Sequence, residues 1–459
     1  MKKTPVIAVI DVGKTNKKLF LFDQHYKIVY EKTATLEESV DEDGFPCENI
    51  DSLKDLVFQF IEDVENNKDF DLKAVQFTTY GASFVYVDEE GNAVAPLYNY
   101  LKPFPKDLKQ QFYQTYGGEE KFSTETASPV LGNLNSGMQL YRIKYERPEL
   151  FKKIINALHL PQYLSFLLTG KFTSDITSIG CHTNLWNFQK AAYHDWLQKE
   201  SIEDKLPPIV SSDKAFDAIN RSYKVGVGLH DSSAALIPYL VNFQDPFVLI
   251  STGTWCISLN PFNDTPLTVE ELKLDCLCYL GYQGTPVKAS RLFAGKEHEE
   301  QVKKIAEHFN VDADFYKHVV FNSDALETVD ESNFIAHSNT SELINLSVFN
   351  RRDLQQFSSA GEAYYQLMHD IVTQQKTSTE LILSDNVKRI FVDGGFANNS
   401  IYMHLLSRAF PGLEIFAASM AQATALGSAL AIHKEWNPLS IPSDLIQLQY
   451  YSYKHHSIT

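Results

Sequence analysis

Four short turns in this 459-residue chain place glycine beside hydroxyl and carboxylate side chains, each next to an apolar run. They are Asp11-Val12-Gly13-Lys14-Thr15-Asn16, Gly228-Leu229-His230-Asp231-Ser232-Ser233, Ser251-Thr252-Gly253-Thr254 and Asp393-Gly394-Gly395-Phe396-Ala397-Asn398. Glycine lets successive backbone N–H groups converge on an anion, and hydroxyls add donors. The chemistry such turns serve is phosphate binding. Asp11 and Asp231 add carboxylates that could hold a cation or take a proton. Each turn alone reads as a tight bend; four in this order point to a phosphate-handling site.

Other chemistries lack their motifs. Nothing matches G-x-x-x-x-G-K-[ST], and no G-x-G-x-x-G follows the first strand, so neither a P-loop nor a Rossmann site is expected. No His-Glu-x-x-His or G-x-S-x-G occurs. The formal net charge of −17 disfavours nucleic acid as a partner. Five cysteines are scattered, and Cys276 and Cys278 are spaced poorly for zinc. This usage suggests a reducing cytoplasm and no structural metal. No apolar run reaches the roughly 20 residues that span a bilayer, so no membrane partner is expected. The opening MKKTPVIAVIDVG reads as a first strand, since Asp11 interrupts the apolar run a signal peptide would need.

The elements that must position these turns are legible in the hydrophobic pattern. VIAVIDVG and KLFLFD form a hairpin start, with Asp11 and Thr15 at the bend, and KIVYEKTATLE a third strand. Leu53, Leu56, Val57, Phe60, Ile61 and Val64 have helical spacing. LKAVQFTTYG is a buried strand, and FVYVDEEGNAV a hairpin turning at Glu89-Glu90-Gly91-Asn92. Helices follow: one from Leu134, another with Pro148 in its first turn, and a third ending at Gly170. Near residue 243 the pattern restarts, and FVLISTGTWCISLN repeats the opening hairpin. KRIFVDGGFANN is a strand, a Gly-Gly bend and a helix, and SMAQATALGSALAIHKEW is a helix of small residues suited to close packing. The tail from Pro438 to Thr459 shows little pattern and is expected to lie over the surface. The length suits two domains, 1–242 and 243–459, with the same core.

DVGKTNKK at Asp11, TTYG at Thr78, GLHDSSAA at Gly228, STGTW at Ser251, VDGGFANN at Val392 and ATALGSAL at Ala423 together resemble the FGGY family of carbohydrate kinases. The likeness runs over nearly the whole chain. It is greatest to rhamnulokinase-like and L-fuculokinase-like members. The resemblance implies an α/β fold of two actin-like, ribonuclease-H-like domains of the hexokinase type, with a cleft between them that closes on its ligands. It implies ATP and Mg²⁺ as cofactors, a small sugar as substrate and a homodimer as the family expectation. The N-terminal domain would bind sugar and supply the base, and the C-terminal domain would bind ATP.

By resemblance, Asp231 is the general base. Such a group orients a sugar hydroxyl and accepts its proton as the phosphoryl group arrives. From the residues alone, Asp231 reads equally well as the N-cap of the helix it opens. The resemblance assigns Mg²⁺ to Asp11, which could otherwise cap a turn. It assigns phosphate binding to Gly13, Thr15, Asn16 and Lys17 or Lys18, and to Thr252, Gly253 and Thr254. Ser251 and Thr252 could instead be ordinary polar strand ends. Gly394, Gly395 and Asn398 would clamp the nucleotide. Thr79, Tyr80, Gly81 and His230 would line the sugar site with Asp231. Tyr80 is either a stacking face for sugar or a core aromatic. Asn135 and Gln139 share a helix face that could look onto the site or onto solvent.

Several positions depart from the family pattern. Lys14 stands where Thr or Ser is common, and Asp393-Gly-Gly-Phe stands where three glycines are common. Met403 replaces a glutamine, Ser83 replaces the sugar-gripping carboxylate, and Asn99-Tyr100-Leu101 replaces Tyr-Arg-Asp. The rivals are an actin-like or heat-shock-type ATPase, against which the GLHD turn speaks, and a non-catalytic sugar-binding regulator on the same fold.

Overall fold

The computed structural model describes residues 3–323 and 340–452. The chain divides into two compact units. The first comprises residues 1–243, 278–286 and 421–445; the second comprises 244–277, 287–420 and 446–459.

The first unit is built on a mixed seven-stranded sheet. Thr4–Val12 lies at its centre and is buried on both faces, as its unbroken run of aliphatic residues requires. It pairs antiparallel with Lys17–Asp23 and parallel with Phe70–Thr79. Ile28–Ala34 extends the antiparallel side. Lys224–Gly226 and Leu229–His230 both pair with Phe70–Thr79 in parallel. The helix Ile50–Glu65 starts at Asn49, whose side chain accepts from Ser52 N, and packs Leu53, Val57 and Phe60 under the sheet. A second core of this unit is aromatic. Phe112 meets Phe122, Tyr141 and Trp196 edge-on at 4.9–5.1 Å between ring centres, a geometry that suits the ring quadrupoles.

The helix Ala423–Ala431 comes late in the chain yet belongs to the first unit. Its small residues let it approach the helix Asp231–Asn242 closely. A Cβ on Gly427 would lie 1.8 Å from the Ala234 carbonyl oxygen, so only glycine fits.

The second unit repeats the opening topology. Phe247–Thr252 pairs antiparallel with Cys256–Asn260 and parallel with Arg389–Gly394. Glu414–Ser419 continues the sheet in parallel. The 21-residue helix Ala360–Glu380 starts at Ser359, whose hydroxyl accepts from Glu362 N. The tail expected to drape over the surface instead forms a strand, Gln447–Tyr451, antiparallel to Glu414–Ser419. Its side chains are mostly exposed, so backbone pairing rather than burial orders it and no hydrophobic alternation marks it. All five cysteines are buried and none forms a disulfide. Among the described residues no helix is long and apolar enough to cross a membrane.

Candidate active site

Strand register brings the two candidate carboxylates together. Along Phe70–Thr79, Asp11 stands opposite Thr78 on one side, and His230 stands opposite Thr79 on the other. All three strands are parallel, so Asp11 and the His230-Asp231 turn emerge at the same carboxyl-terminal edge, where open α/β sheets bind ligands. The Asp11 pKa is pushed up to about 6, first by burial and then by the negative charge of Asp231, while Lys18 opposes the rise. The two acids therefore feel each other.

Asp231 is not the cap of its helix. His230 occupies the N-cap position. Among the described residues, the Asp231 carboxylate accepts from its neighbour Ser232, through N at 2.5 Å and Oγ at 3.2 Å, with His230 Nε2 3.4 Å away. It remains partly exposed and can take a further hydrogen bond.

The three lysines after Gly13 have three different fates. The turn closes through Gly13 N donating to Asn16 O at 2.9 Å, leaving Thr15 and Asn16 exposed. Cross-strand pairing sets Lys18 opposite Asp11 and Lys17 opposite the buried Val12. Opposed residues share a face, so Lys18 faces the carboxylate side and Lys17 faces the core. Lys17 is almost fully buried in an ion pair with Glu48 and also donates to Lys14 O. The expectation that Lys17 meets phosphate is corrected: its charge is already matched inside the protein by Glu48, whereas Lys18 lies on the Asp11 face. Lys14 lies over the rings of Tyr80 and Tyr100.

The sugar-side candidates are mostly internal. Thr79 is buried, and its hydroxyl donates to Tyr80 O at 2.8 Å, so it offers nothing to a ligand. Tyr80 is 9% exposed, and its hydroxyl donates to Glu48 at 2.5 Å. It serves as a fixed wall rather than a free stacking platform. Ser83 is buried as well. Ala82 holds φ +62 with no exposed surface, a strained conformation for a residue with a Cβ. Gly81 has no room for a side chain, because a Cβ would lie 2.8 Å from His230 Nε2. Asn135 and Gln139 face neither site nor solvent. Asn135 accepts from Leu131 N and donates to His182 O; Gln139 donates to Ala82 O and Asn133 O.

A layer behind His230 holds the turn in place. His230 N donates to Thr177 Oγ1 at 3.0 Å, and Thr177 bonds Asp175, which also accepts from Ser212. Gly228 adopts φ +89 and packs against the Pro161 carbonyl, where a Cβ would come within 2.5 Å. Burial pulls the pKa of His230 down, against the charge of Asp231. His159, stacked on Phe84 at 3.9 Å, is driven down to about 3, first by burial and then by His230 and His182. These histidines are therefore neutral at physiological pH. Asp231 also acts on Tyr100, Cys181 and Tyr279, secondary to burial in each case. None of these three neighbours was singled out as such from the sequence, because each lies far from Asp231 along the chain.

In the second unit the two remaining turns lie side by side, with Thr252 opposite Gly394. The Thr252 hydroxyl donates to Asp393 O and accepts from Phe396 N at 3.0 Å. It fastens one turn to the other, which corrects the expectation of a free phosphate donor. Gly253 and Thr254 are exposed, and Gly253 N donates to Trp255 O at 2.9 Å. Gly394 holds φ +79, and a Cβ there would lie 1.9 Å from Thr252 O. Gly395 and Asn398 are exposed beside it. These turns border a cavity of about 570 Å³ that Gly295, His298, Tyr316 and Phe396 also line. Gly295 opens the helix Ala294–Phe309, and a Cβ on it would lie 1.8 Å from Gly253 O. Sequence reasoning missed Gly295 and His298; Ala-Gly-Lys at the head of an amphipathic helix was the available signal. His298 is held by rings, with Tyr316, Tyr364 and Phe396 edge-on at 5.1–5.7 Å. Met403 is fully buried in the core, so it does not stand in for a base-contacting glutamine.

The donor set fits a hard cation that arrives with phosphates. Mg²⁺ binds through one or two carboxylates plus waters and substrate oxygens. Asp11 is a half-buried carboxylate whose ionised form a neighbouring cation would favour. Among the described residues no group of three or more His, Cys, Asp or Glu is arranged to hold a metal by itself.

Comparison with known proteins gives concordant matches. The family model described as the FGGY family of carbohydrate kinases, N-terminal domain, matches residues 6–235. The carbohydrate kinase FGGY C-terminal domain matches residues 244–439. A rhamnulokinase of Oceanobacillus iheyensis is 22% identical over 265 residues, 54% of each chain. An L-fuculokinase of Escherichia coli K12 is 22% identical over 271 residues, 55% of this chain and 56% of its own. The chain thus spans about half the length of these curated relatives. Among solved structures, a carbohydrate kinase from Novosphingobium aromaticivorans superposes with a TM-score of 0.78 at 20% identity, covering 97% of this chain and 96% of its own. A ligand-bound xylulose kinase from Lactobacillus acidophilus gives 0.77 at 16% identity, covering 98% and 94%. At these identities the structural likeness is one of fold.

Proposed function

The chain belongs to the FGGY family of carbohydrate kinases, and from that premise we propose that it transfers the γ-phosphoryl group of ATP to a hydroxyl of a small sugar. The observation that carries this reading is the pairing of Asp11 and Asp231 at one edge of the first sheet, close enough that the charge of one raises the pKa of the other. One carboxylate can serve the cation and the other the incoming nucleophile; Asp231, partly exposed, has the second character, and the family assigns a sugar rather than water as that nucleophile.

Asp231 accepts the proton of the acceptor hydroxyl. The acceptor oxygen forms a bond to the γ-phosphorus as the bond to the β–γ bridging oxygen breaks, and ADP leaves with that oxygen. Asp11 would hold Mg²⁺, which when bound supplies charge neutralisation for the phosphate oxygens. Lys18, opposite Asp11, faces the same charge. Backbone N–H groups of the Gly13–Asn16 turn serve the transferring phosphoryl group. In the second unit, the Gly253 and Gly394-Gly395 turns and the aromatic-lined cavity hold the nucleotide. Neutral His230 acts as a wall of the acceptor site rather than as a base, because burial disfavours its protonated form.

A terminal hydroxyl of a ketose such as L-rhamnulose, L-fuculose or xylulose is the first acceptor class to test. The test is ADP release by the full chain with Mg·ATP, with each sugar in turn. Release stimulated by one sugar, with equimolar sugar phosphate formed, is expected. ADP release that no sugar stimulates would favour an ATPase or a regulator on this fold.

A further inference from the structure

Lys14 is a cation whose ion-pair partner among the described residues is solvent-exposed. Its ammonium stands 5.8 Å from the centre of the Tyr80 ring and 6.0 Å from that of Tyr100. The two rings lie 6.0 Å apart and tilt against each other, forming two faces of one wall. The ion pair of Lys14 is with Glu38, at 3.5 Å, and that carboxylate is 53% exposed. Such a pair is loose and well solvated, and it contributes little. Lys17 is the contrast: its ammonium is buried against buried Glu48, which leaves it no charge to offer. An ammonium held over aromatic faces with a weak counterion can exchange that counterion for a ligand anion.

The wall beneath Lys14 is fixed. Tyr80 is tied to Glu48, Glu48 to Lys17, and Lys17 to the Lys14 carbonyl, so the turn and the ring are held as one unit. Tyr100 belongs to the same neighbourhood as the base, since the charge of Asp231 reaches its phenol. On this side the protein offers an acceptor one ammonium and the half-buried Tyr100 ring, with buried Tyr80 as the fixed wall behind them. The Thr79 and Tyr80 hydroxyls, which could otherwise grip a neutral sugar, are bonded inward. Lys18 lies on the Asp11 side, in the strand pair beside the phosphate turn, and Lys14 leans toward the tyrosines.

We propose that Lys14, Tyr80 and Tyr100 form an acceptor subsite for sugar acids. The acceptors in question are sugars, ketoses among them, that carry a carboxylate away from the hydroxyl that Asp231 activates. Lys14 pairs with the carboxylate, and the Tyr100 ring, backed by the fixed Tyr80, covers the carbon face. This assignment rests on the kinase function above and narrows its substrate class.

The test uses the full chain with Mg·ATP. Initial rates are measured on D-gluconate, D-galactonate and 2-keto-D-gluconate and on the neutral D-xylulose, L-rhamnulose and D-fructose. Wild type is compared with Lys14→Gln, Lys14→Arg and Asp231→Asn. The expected result is Asp231-dependent preference for an acid. Lys14→Gln should raise the KM for that acid by about 30-fold, the range of a charge-assisted hydrogen bond. Lys14→Arg should recover part of it, with the KM for ATP unchanged in both. Asp231-dependent phosphorylation of a neutral sugar, with no preference for acids, would overturn the subsite and leave the kinase standing. So would Lys14→Gln raising the KM for ATP instead, which would assign Lys14 to the nucleotide phosphates. If neither class stimulates ADP release, both the subsite and the kinase function fall.

Discussion

The hairpin that opens the first unit and the hairpin that opens the second share one topology and differ in chemistry. Both pair an apolar strand antiparallel with its successor and parallel with a later strand. The turn of the first is flanked by Asp11, Lys14, Lys17 and Lys18, and a buried ion pair anchors it. The turn of the second carries Thr252, Gly253 and Thr254 with no charge, and a threonine hydroxyl anchors it to the neighbouring bend. One scaffold thus presents charged groups in one copy and close-packed backbone in the other. In the proposed function, acid–base and metal chemistry falls to the first and the cradling of an anionic nucleotide to the second. The difference lies in side chains, while the shared part is the strand order.

Breaking the anchor of the first turn should have the largest effect on stability. Glu48→Gln leaves Lys17 as an uncompensated buried charge, and a loss of about 3–5 kcal/mol is expected in denaturant unfolding. A loss below about 1 kcal/mol would mean that the pair is solvated, as an exposed pair is. In the second unit, Gly394→Ala forces a Cβ against the Thr252 carbonyl at a positive φ. It should cost about 1–3 kcal/mol and weaken ATP binding measured by calorimetry. Gly395→Ala is the control, since its Cβ meets nothing within 4 Å. Equal behaviour of the two variants would refute the role given to that turn.

A pH-dependent effect, vanishing below about pH 4, separates function from stability at Asp11. Its folded pKa of about 6 lies above its ordinary 3.8, so ionising it costs the folded state. That cost is absent below about pH 4, grows through pH 6 and is complete above it. Asp11→Asn should therefore be more stable than the wild type at pH 8, by up to about 3 kcal/mol, and no more stable below pH 4. Its ATP turnover should be lost throughout. Asp175 and Glu297, raised to about 6 and about 7, titrate nearby in both proteins and cancel in the comparison.

Much of this was legible in the sequence where the cause is local. The strand–turn–strand pattern at Asp11 and its repeat at Ser251 are local, and both hairpins form. The helix Leu160–Thr169 ends at Gly170 in a left-handed conformation, as a C-terminal glycine predicts. What stayed hidden depends on distant partners. Lys17 reads as a phosphate-facing candidate alongside Lys18 until Glu48 is placed beside it. Asn135 and Gln139 read as facing either the site or solvent until the backbone groups they satisfy are known. The small-residue helix at Ala423 was recognisable as a helix, but its place against Ala234 depends on the return of the chain to the first unit. Gln447–Tyr451 carries no alternation because edge pairing alone orders it.

The most direct test of the central claim separates the two turns in a single variant. Asp231→Asn removes the proposed base of the first unit and leaves the residues of the second unit unchanged in sequence. Phosphoryl transfer from labelled ATP to the preferred sugar and ATP affinity by calorimetry would be measured on the same preparation. Transfer should fall by about 10²–10⁴-fold, with ATP affinity unchanged. Transfer that survives the substitution would contradict the assignment of Asp231 as base, and with it the division of labour between the two hairpins.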